Sequence, residues 1–307
     1  MYRPIDFNIE RTFLSPNLSR DMCHVTFKMA VSSLSKLTPI LNIEKLTERV
    51  IRVLGCNPGD FRLQGTNTYL VGSGKRKILI DTGDPQKPDY INNLRQTLQE
   101  NSCGIQEIVL THWHADHFKR LSSPDEDISP ASYSFIEDNH IFKTDGATLR
   151  AILTPGHTEE HMVLHLEEEN AVFAGDCILG ESTAVFDDLH SYMQTLQKIL
   201  DLKPKVIYPG HGIVIQNPVE FITYYIKHRH EREAQILEVL KSSGNTYMST
   251  LQVVEQVYKG LAPGLIGGAC KNASHNLKKL VKEEKVECKD ENGEELWSLI
   301  QGGKSNL

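Results

Sequence analysis

The stretch Thr111-His112-Trp113-His114-Ala115-Asp116-His117 places three imidazoles and a carboxylate within six residues, directly after a strand expected at Ile105–Leu110. A chain leaving a strand turns successive side chains to opposite sides, so His112 and His114 can meet one ion and Asp116 and His117 another. Imidazole and carboxylate donors suit Zn²⁺, with Mn²⁺ or Fe as weaker competitors. The plain alternative is a solvated polar loop.

Three further ligand candidates follow in order, each after an apolar run and each in a glycine-bearing turn that permits close approach. They are His157 in Thr154-Pro155-Gly156-His157-Thr158, Asp176 in Gly175-Asp176, and His211 in Pro209-Gly210-His211-Gly212. A single Gly-His or Gly-Asp is more often a turn than a ligand. Joined to the first cluster, however, they make five histidines and two aspartates. That set is enough for two metals sharing a bridging carboxylate.

Around these residues, short β-branched runs bounded by Gly, Asn and Pro read as strands: Val50–Leu54, Asn67–Gly72 and Lys77–Asp81. A helix pattern covers Tyr90–Gln99. Further strands are expected near 140–143, 147–153, 161–167, 171–175 and 205–208, with a helix near 188–201. This is a β-rich α/β chain in two similar halves. After Pro218 a long charged helix, 218–242, leads to helices at Ser249–Lys259 and Ser274–Glu284. The runs Lys285–Lys289 and Glu295–Ile300 then flank the turn Asp290-Glu291-Asn292-Gly293, a hairpin signal. Two helices and a hairpin make a winged-helix pattern. The expected domains are an extension at 1–46 without sustained periodicity, a catalytic domain at 47–217, and a linker helix with a winged-helix-like domain at 218–307.

Composition narrows the function. The 307 residues are 39% hydrophobic and 24% charged, which suits a globular fold and excludes collagen and wholesale disorder. Apolar runs such as Ile78–Ile80 are far shorter than the roughly 20 residues of a membrane span. A net charge of −7 removes the basic field of a protein that grips nucleic acid by bulk electrostatics, so any such role needs a local patch or metal ions. The six cysteines form no C-x-x-C pair and read as reduced thiols of an intracellular protein. The segment from His228 onward carries 11 basic and 11 acidic residues. Within it Lys271, Lys278, Lys282 and Lys285 have spacings compatible with a stripe. Its default reading is a solvated helix face; the other is a contact to single-stranded RNA, with Lys278 and Lys282 the candidates.

The ordered set H-x-H-x-D-H, Gly-His, strand-end Asp and final His resembles the metallo-β-lactamase superfamily. That resemblance implies an αββα sandwich and two Zn²⁺ per chain. His112, His114 and His157 would hold one zinc, Asp116, His117 and His211 the other, with Asp176 bridging. Asp81, in Ile80-Asp81-Thr82-Gly83, matches the family's aspartate that orients ligand histidines; a turn cap is the alternative. Five segments tighten the resemblance to a branch of the family that cleaves single-stranded RNA in the mitochondrial matrix: 55–59, 64–71, 154–162, 175–181 and 208–212. The resemblance therefore implies an endoribonuclease, its partner single-stranded RNA, and Asp116 as the catalytic residue that orients the attacking water. Mitochondrial placement comes from the resemblance alone, with the cytoplasm as alternative, because Asp6, Glu10 and Asp21 make a poor presequence. His161 is a candidate proton donor to the leaving group, though a histidine on the alternating strand His161–His165 is more often packed structure.

Family members usually continue after the D-H with Gly-Gly and a helix; here Phe118-Lys119-Arg120-Leu121-Ser122 follows, and His157 comes only 40 residues after His117. Bulky residues resist the positive-φ reversal that glycine permits. Asp116 and His117 are therefore expected to be less well fixed than His112 and His114. Three competing functions are a thioester hydrolase of glyoxalase II type, a secreted β-lactamase, and a catalytically impaired RNA-binding relative. A glutathione-binding helical domain is missing for the first and a signal peptide for the second.

Overall fold

A computed structural model describes residues 11–13, 37–118, 133–244 and 246–300. Two compact units emerge: residues 1–187 with 198–219, and residues 188–197 with 220–307.

The first unit holds two sheets. Its first half runs β1 (Arg11–Phe13), β2 (Ile43–Lys45), β3 (Val50–Leu54), β4 (Asn67–Val71), β5 (Arg76–Ile80), helix α1 (Pro88–Glu100), β6 (Gly104–Val109) and β7 (Tyr133–Phe135). These strands form one seven-stranded sheet, in the order β2-β3-β4-β5-β6-β1-β7. The second sheet takes β8 (Ile141–Thr144), β9 (Ala147–Leu153), β10 (Met162–Leu166), β11 (Ala171–Gly175) and β12 (Val206–Pro209), ordered β12-β11-β10-β9-β8. Helix α2 (Leu189–Asp201) separates β11 from β12 in sequence. The architecture is the expected mixed α/β sandwich.

Side-chain alternation explains the layering. On β4, Tyr69 and Val71 enter the core between the sheets while Leu70 faces the other way; on β5, Ile78 and Ile80 do the same opposite Leu79. The inter-sheet core is completed from the second sheet by Leu149, Met162, Leu164 and Phe173. On the outer face Leu70, Leu79 and Ile108 meet Tyr90, Leu94 and Leu98 of α1. Strands covered on both faces read as continuous apolar runs, which is why β3 and β5 were legible.

Two stretches depart from the expected extension at 1–46. Ile43–Lys45 pairs antiparallel with β3, and Arg11–Phe13 pairs parallel with both β6 and β7. Neither carries a periodic signal, since three-residue strands hold too few side chains to show one.

In the second unit α3 (Pro218–Ser242) precedes β13 (Met248–Ser249), α4 (Thr250–Val257), a 3₁₀ turn (Pro263–Leu265), α5 (Ile266–Lys282), β14 (Val286–Glu291) and β15 (Glu294–Leu299). The hairpin turns through Asn292 and Gly293, both at positive φ, as a two-residue primed turn requires. Ile236, Leu240, Val253, Leu277, Leu280 and Trp297 form its core. Helix α5 begins well before the expected Ser274; its first turn contains Gly267 and Gly268, poor helix formers that hide the start in the sequence.

Candidate metal centre

Every metal-ligand candidate lies just past the C-terminal end of a strand in the first unit. The parallel pairs β5–β6 and β11–β12 carry their ends to one edge within each sheet. There His112, His114, His157 and Asp176 bring donor atoms into one group, and Asp116, His117 and His211 into a second. All seven expected ligands are thus assembled.

The hydrogen-bond network places the ring proton of four of these histidines on Nδ1. Thr111 Oγ1 lies 3.1 and 3.0 Å from the Asp81 carboxylate oxygens and 3.0 Å from His112 Nδ1. Its single proton goes to the carboxylate, so its lone pair accepts Nδ1–H of His112. His157 Nδ1 donates to the Val185 carbonyl at 2.7 Å, and His211 Nδ1 to the Gly65 carbonyl at 3.1 Å. His117 Nδ1 donates to Asp81 Oδ2 at 2.8 Å. The Nε2 atoms of these four histidines are left as lone pairs, and they converge.

That convergence is unfavourable without a cation. His112 Nε2 is 2.9 Å from His114 Nδ1, which is 3.0 Å from His157 Nε2, and His117 Nε2 is 3.2 Å from His211 Nε2. Asp176 stands between the groups. Its Oδ2 is 3.9 and 3.8 Å from the Nε2 atoms of His112 and His157; its Oδ1 is 3.3 and 3.4 Å from those of His117 and His211. Asp176 Oδ1 is buried without a hydrogen-bond partner. An orphaned carboxylate oxygen among imidazole lone pairs is the donor chemistry that Zn²⁺ takes, and the residues fit a metal pair.

The electrostatics follow. Burial and the neighbouring His117 drive His112 well below its ordinary pKa, and burial with His157 brings His114 down to about 4. Burial would lower His211 too, but the Asp176 carboxylate and the Asp116 hydrogen bond raise it to about 9. For His117 burial is outweighed by Asp176 and Asp81, which push it well above the usual range. Burial opposes ionisation of Asp116 as well, yet His211 and His117 hold it far below the carboxylate range. A proton on either of these two imidazoles would occupy its Nε2 lone pair, so the raised values and the converging lone pairs express the same demand for positive charge.

Asp81 lies where an orienting carboxylate is expected. It sits at φ 59°, with its N–H on the Val109 carbonyl, while Oδ1 accepts the Thr111 N–H at 2.8 Å. One carboxylate thus fixes His117 directly and His112 through Thr111.

Asp116 and His117, expected to be loose, each have defined partners. His117 is fully buried, and its carbonyl accepts the Thr82 N–H at 2.9 Å. The Thr66 hydroxyl donates to Asp116 Oδ2 at 2.9 Å. No residue from Asp116 to Phe118 needs positive φ, because a helical turn, with the N–H groups of His117 and Phe118 on the His114 carbonyl, reverses the chain instead. Phe118 packs against the α1 core. Residues 119–132, which hold the rest of the shortened segment, lie outside the described residues.

Of the two readings of His161, the structure supports packed structure over proton donor. It is fully buried, and both ring nitrogens are engaged, with Thr154 and with the Asp176 N–H. Of the lysine candidates in the second unit, Lys278 lies 3.4 Å from Glu295 and Lys282 2.9 Å from Asp188. Their charge is already matched by carboxylates. The hydroxyls of Thr66, Thr111 and Thr154 escaped sequence reading, since a threonine beside a motif has no distinguishing spacing.

Comparison with known proteins agrees with this geometry. A model of the metallo-beta-lactamase superfamily matches residues 62–122 and 118–211, two stretches that meet where the segment after His117 is short. A model of the beta-lactamase associated winged helix domain matches residues 249–297. The beta-lactamase-like protein 2 homolog of Drosophila melanogaster is 44% identical over 279 residues, covering 83% of this chain and 95% of its own length. An atrochrysone carboxyl ACP thioesterase of Aspergillus chevalieri is 36% identical over 283 residues, covering 87% and 92%. The crystal structure of a beta-lactamase domain protein from Burkholderia ambifaria superposes with a TM-score of 0.67 at 15% identity, covering 87% of this chain and 96% of that one. At that identity the likeness bears on the fold alone.

Proposed function

The chain belongs to the metallo-beta-lactamase superfamily, a family of metal-dependent hydrolases, and on that premise we propose that it is a zinc-dependent endoribonuclease acting on single-stranded RNA. The observation that carries the proposal is Asp176, which turns one oxygen toward each of two abutting groups of imidazole lone pairs. His112, His114 and His157 would hold one zinc and Asp116, His117 and His211 the other, with Asp176 shared. Such a pair would supply Lewis acidity toward water and phosphodiester oxygens, and the positive charge that a chain of net charge −7 otherwise lacks for RNA.

The chain's own residues do the rest. Asp116 stays ionised at neutral pH and accepts hydrogen bonds only, so it orients an attacking water and does not donate a proton. Asp81, Thr111, Val185 and Gly65 engage Nδ1 of four imidazoles, which leaves Nε2 as the atom each turns toward the site. We place the protein in the mitochondrial matrix, which fractionation with matrix markers tests.

A second reading is thioester hydrolysis, favoured by the 36% identity to an acyl-carrier-protein thioesterase over 87% of the chain. The same carboxylate and imidazoles would serve it. Full-length, zinc-loaded protein is to be incubated with labelled single-stranded RNA and, separately, with an acyl thioester, each with and without chelator. Chelator-sensitive RNA cleavage supports the proposal. Thioester turnover with RNA left intact replaces it by the second reading.

A further inference from the structure

His161 stands beside the metal centre without offering it a lone pair. Its ring packs 5.3 Å from His112 and 5.7 Å from His157, centroid to centroid. The backbone N–H of Asp176 donates to its Nε2 at 3.3 Å. Its Nδ1 lies 3.0 Å from Thr154 Oγ1, and that hydroxyl faces the carbonyl of His161 itself at 3.3 Å. A threonine hydroxyl that donates to the carbonyl has only lone pairs left for the ring, so the imidazole proton resides on Nδ1 and Nε2 is an acceptor.

The surroundings make that acceptor matter. Asp176 lies one residue past β11, and the β11–β12 register is irregular between Phe173 and Gly175, so its N–H is turned to a side chain instead of a ladder. A buried backbone N–H needs a partner. Gly175, at φ 48°, lets the ring come close: a Cβ there would lie 2.6 Å from His161 Nε2 and 2.9 Å from Thr111 Oγ1.

We infer that His161 is a positioning residue for Asp176: its Nε2 fixes the peptide that carries the carboxylate shared by the two donor groups, Thr154 sets the tautomer, and Gly175 makes room for the ring. The inference rests on the reading of Asp176 as a metal-holding carboxylate. A small rotation of the 175–176 peptide would move both carboxylate oxygens at once, so losing the acceptor should be felt in both metal positions.

The test compares full-length wild type with His161→Leu, which has no acceptor, His161→Gln, whose amide oxygen can replace Nε2, and Thr154→Val, which frees the ring to move its proton to Nε2. The readouts are zinc stoichiometry and affinity by chelator competition, the visible spectrum after Co²⁺ substitution, and thermal melting by circular dichroism. His161→Leu should bind zinc about 10- to 100-fold more weakly, the range for outer partners of metal ligands, with a shifted Co²⁺ spectrum. His161→Gln should recover most of the affinity, and Thr154→Val should fall between. A folded His161→Leu with wild-type zinc affinity and Co²⁺ spectrum overturns the inference, as does a Gln variant no better than Leu. Should His161→Leu fail to fold, the ranking of wild type, Gln and Thr154→Val decides alone. Wild type that takes up no zinc refutes the metal reading itself, a different failure.

Discussion

Replacing Asp81 by Asn should uncouple metal affinity from folding. Asn tolerates the left-handed conformation that position 81 adopts at φ 59°, and its size matches Asp, so the backbone carries no new strain. Its amide, however, has one oxygen where the carboxylate has two. The Thr111 N–H, 2.8 Å from Oδ1, cannot become an acceptor, so the amide oxygen stays there and the NH₂ faces His117 Nδ1, now 2.8 Å from Oδ2. Two donors then oppose each other. The imidazole escapes by moving its proton to Nε2, which removes the lone pair offered to the metal. The lost interaction is a hydrogen bond to a charged group, about 1.5–3 kcal/mol, and at about 1.4 kcal/mol per decade this is one to two orders of magnitude in affinity. Chelator competition on full-length protein should show zinc released first from the group of Asp116, His117 and His211. The group containing His112, reached only through Thr111, should follow at higher chelator. Circular dichroism should stay that of wild type. Two equivalents held as tightly as in wild type would refute the tautomer argument.

Gly210→Ala should prevent zinc binding without unfolding the second unit, because a Cβ there would lie 2.5 Å from Asp176 Oδ1 and 2.8 Å from the His117 ring; normal zinc content by elemental analysis would contradict it. Asp188→Ala removes a carboxylate that accepts both the N–H and the hydroxyl of Ser191 in the first turn of α2, and should cost about 1 kcal/mol in urea unfolding at neutral pH. Burial would raise Asp188, but Ser191 and Lys282 hold it at about 2. Its contribution is therefore present above an unfolded pKa of about 3.9 and disappears as pH falls through about 2, so the two proteins should converge there; a difference persisting at the acid end would argue against it. For RNA binding, Lys278→Ala and Lys282→Ala should leave the salt dependence of affinity unchanged, since Glu295 and Asp188 already match these charges. A slope reduced by about 1 for either lysine would mean that it touches phosphate.

The identity and order of the seven candidate ligands were legible in the sequence because each follows an apolar run in a short polar turn, and strand-end loops are local features. The long strands and helices were legible for the same reason: β3, β5 and α1 carry their periodicity within a few residues. Asp81 was recognisable only as a motif position with a turn cap as its rival, and its hydrogen bond to His117, 36 residues away in sequence, favours the first reading. What the tertiary structure alone decided depends on contacts between distant segments. Thr66 steadies Asp116 across 50 residues, and His161 meets the Asp176 peptide from a neighbouring strand. The same holds for Asp116 and His117, read as loose because bulky residues follow them. In the fold Phe118 finds the α1 core and the His117 carbonyl finds Thr82, and no local pattern records either partner. Sequence periodicity reports which face of an element is apolar; it says nothing of which hydroxyl or carbonyl from elsewhere in the chain will meet a given ring nitrogen. On that meeting the tautomer of each histidine, and so the chemistry of the site, depends.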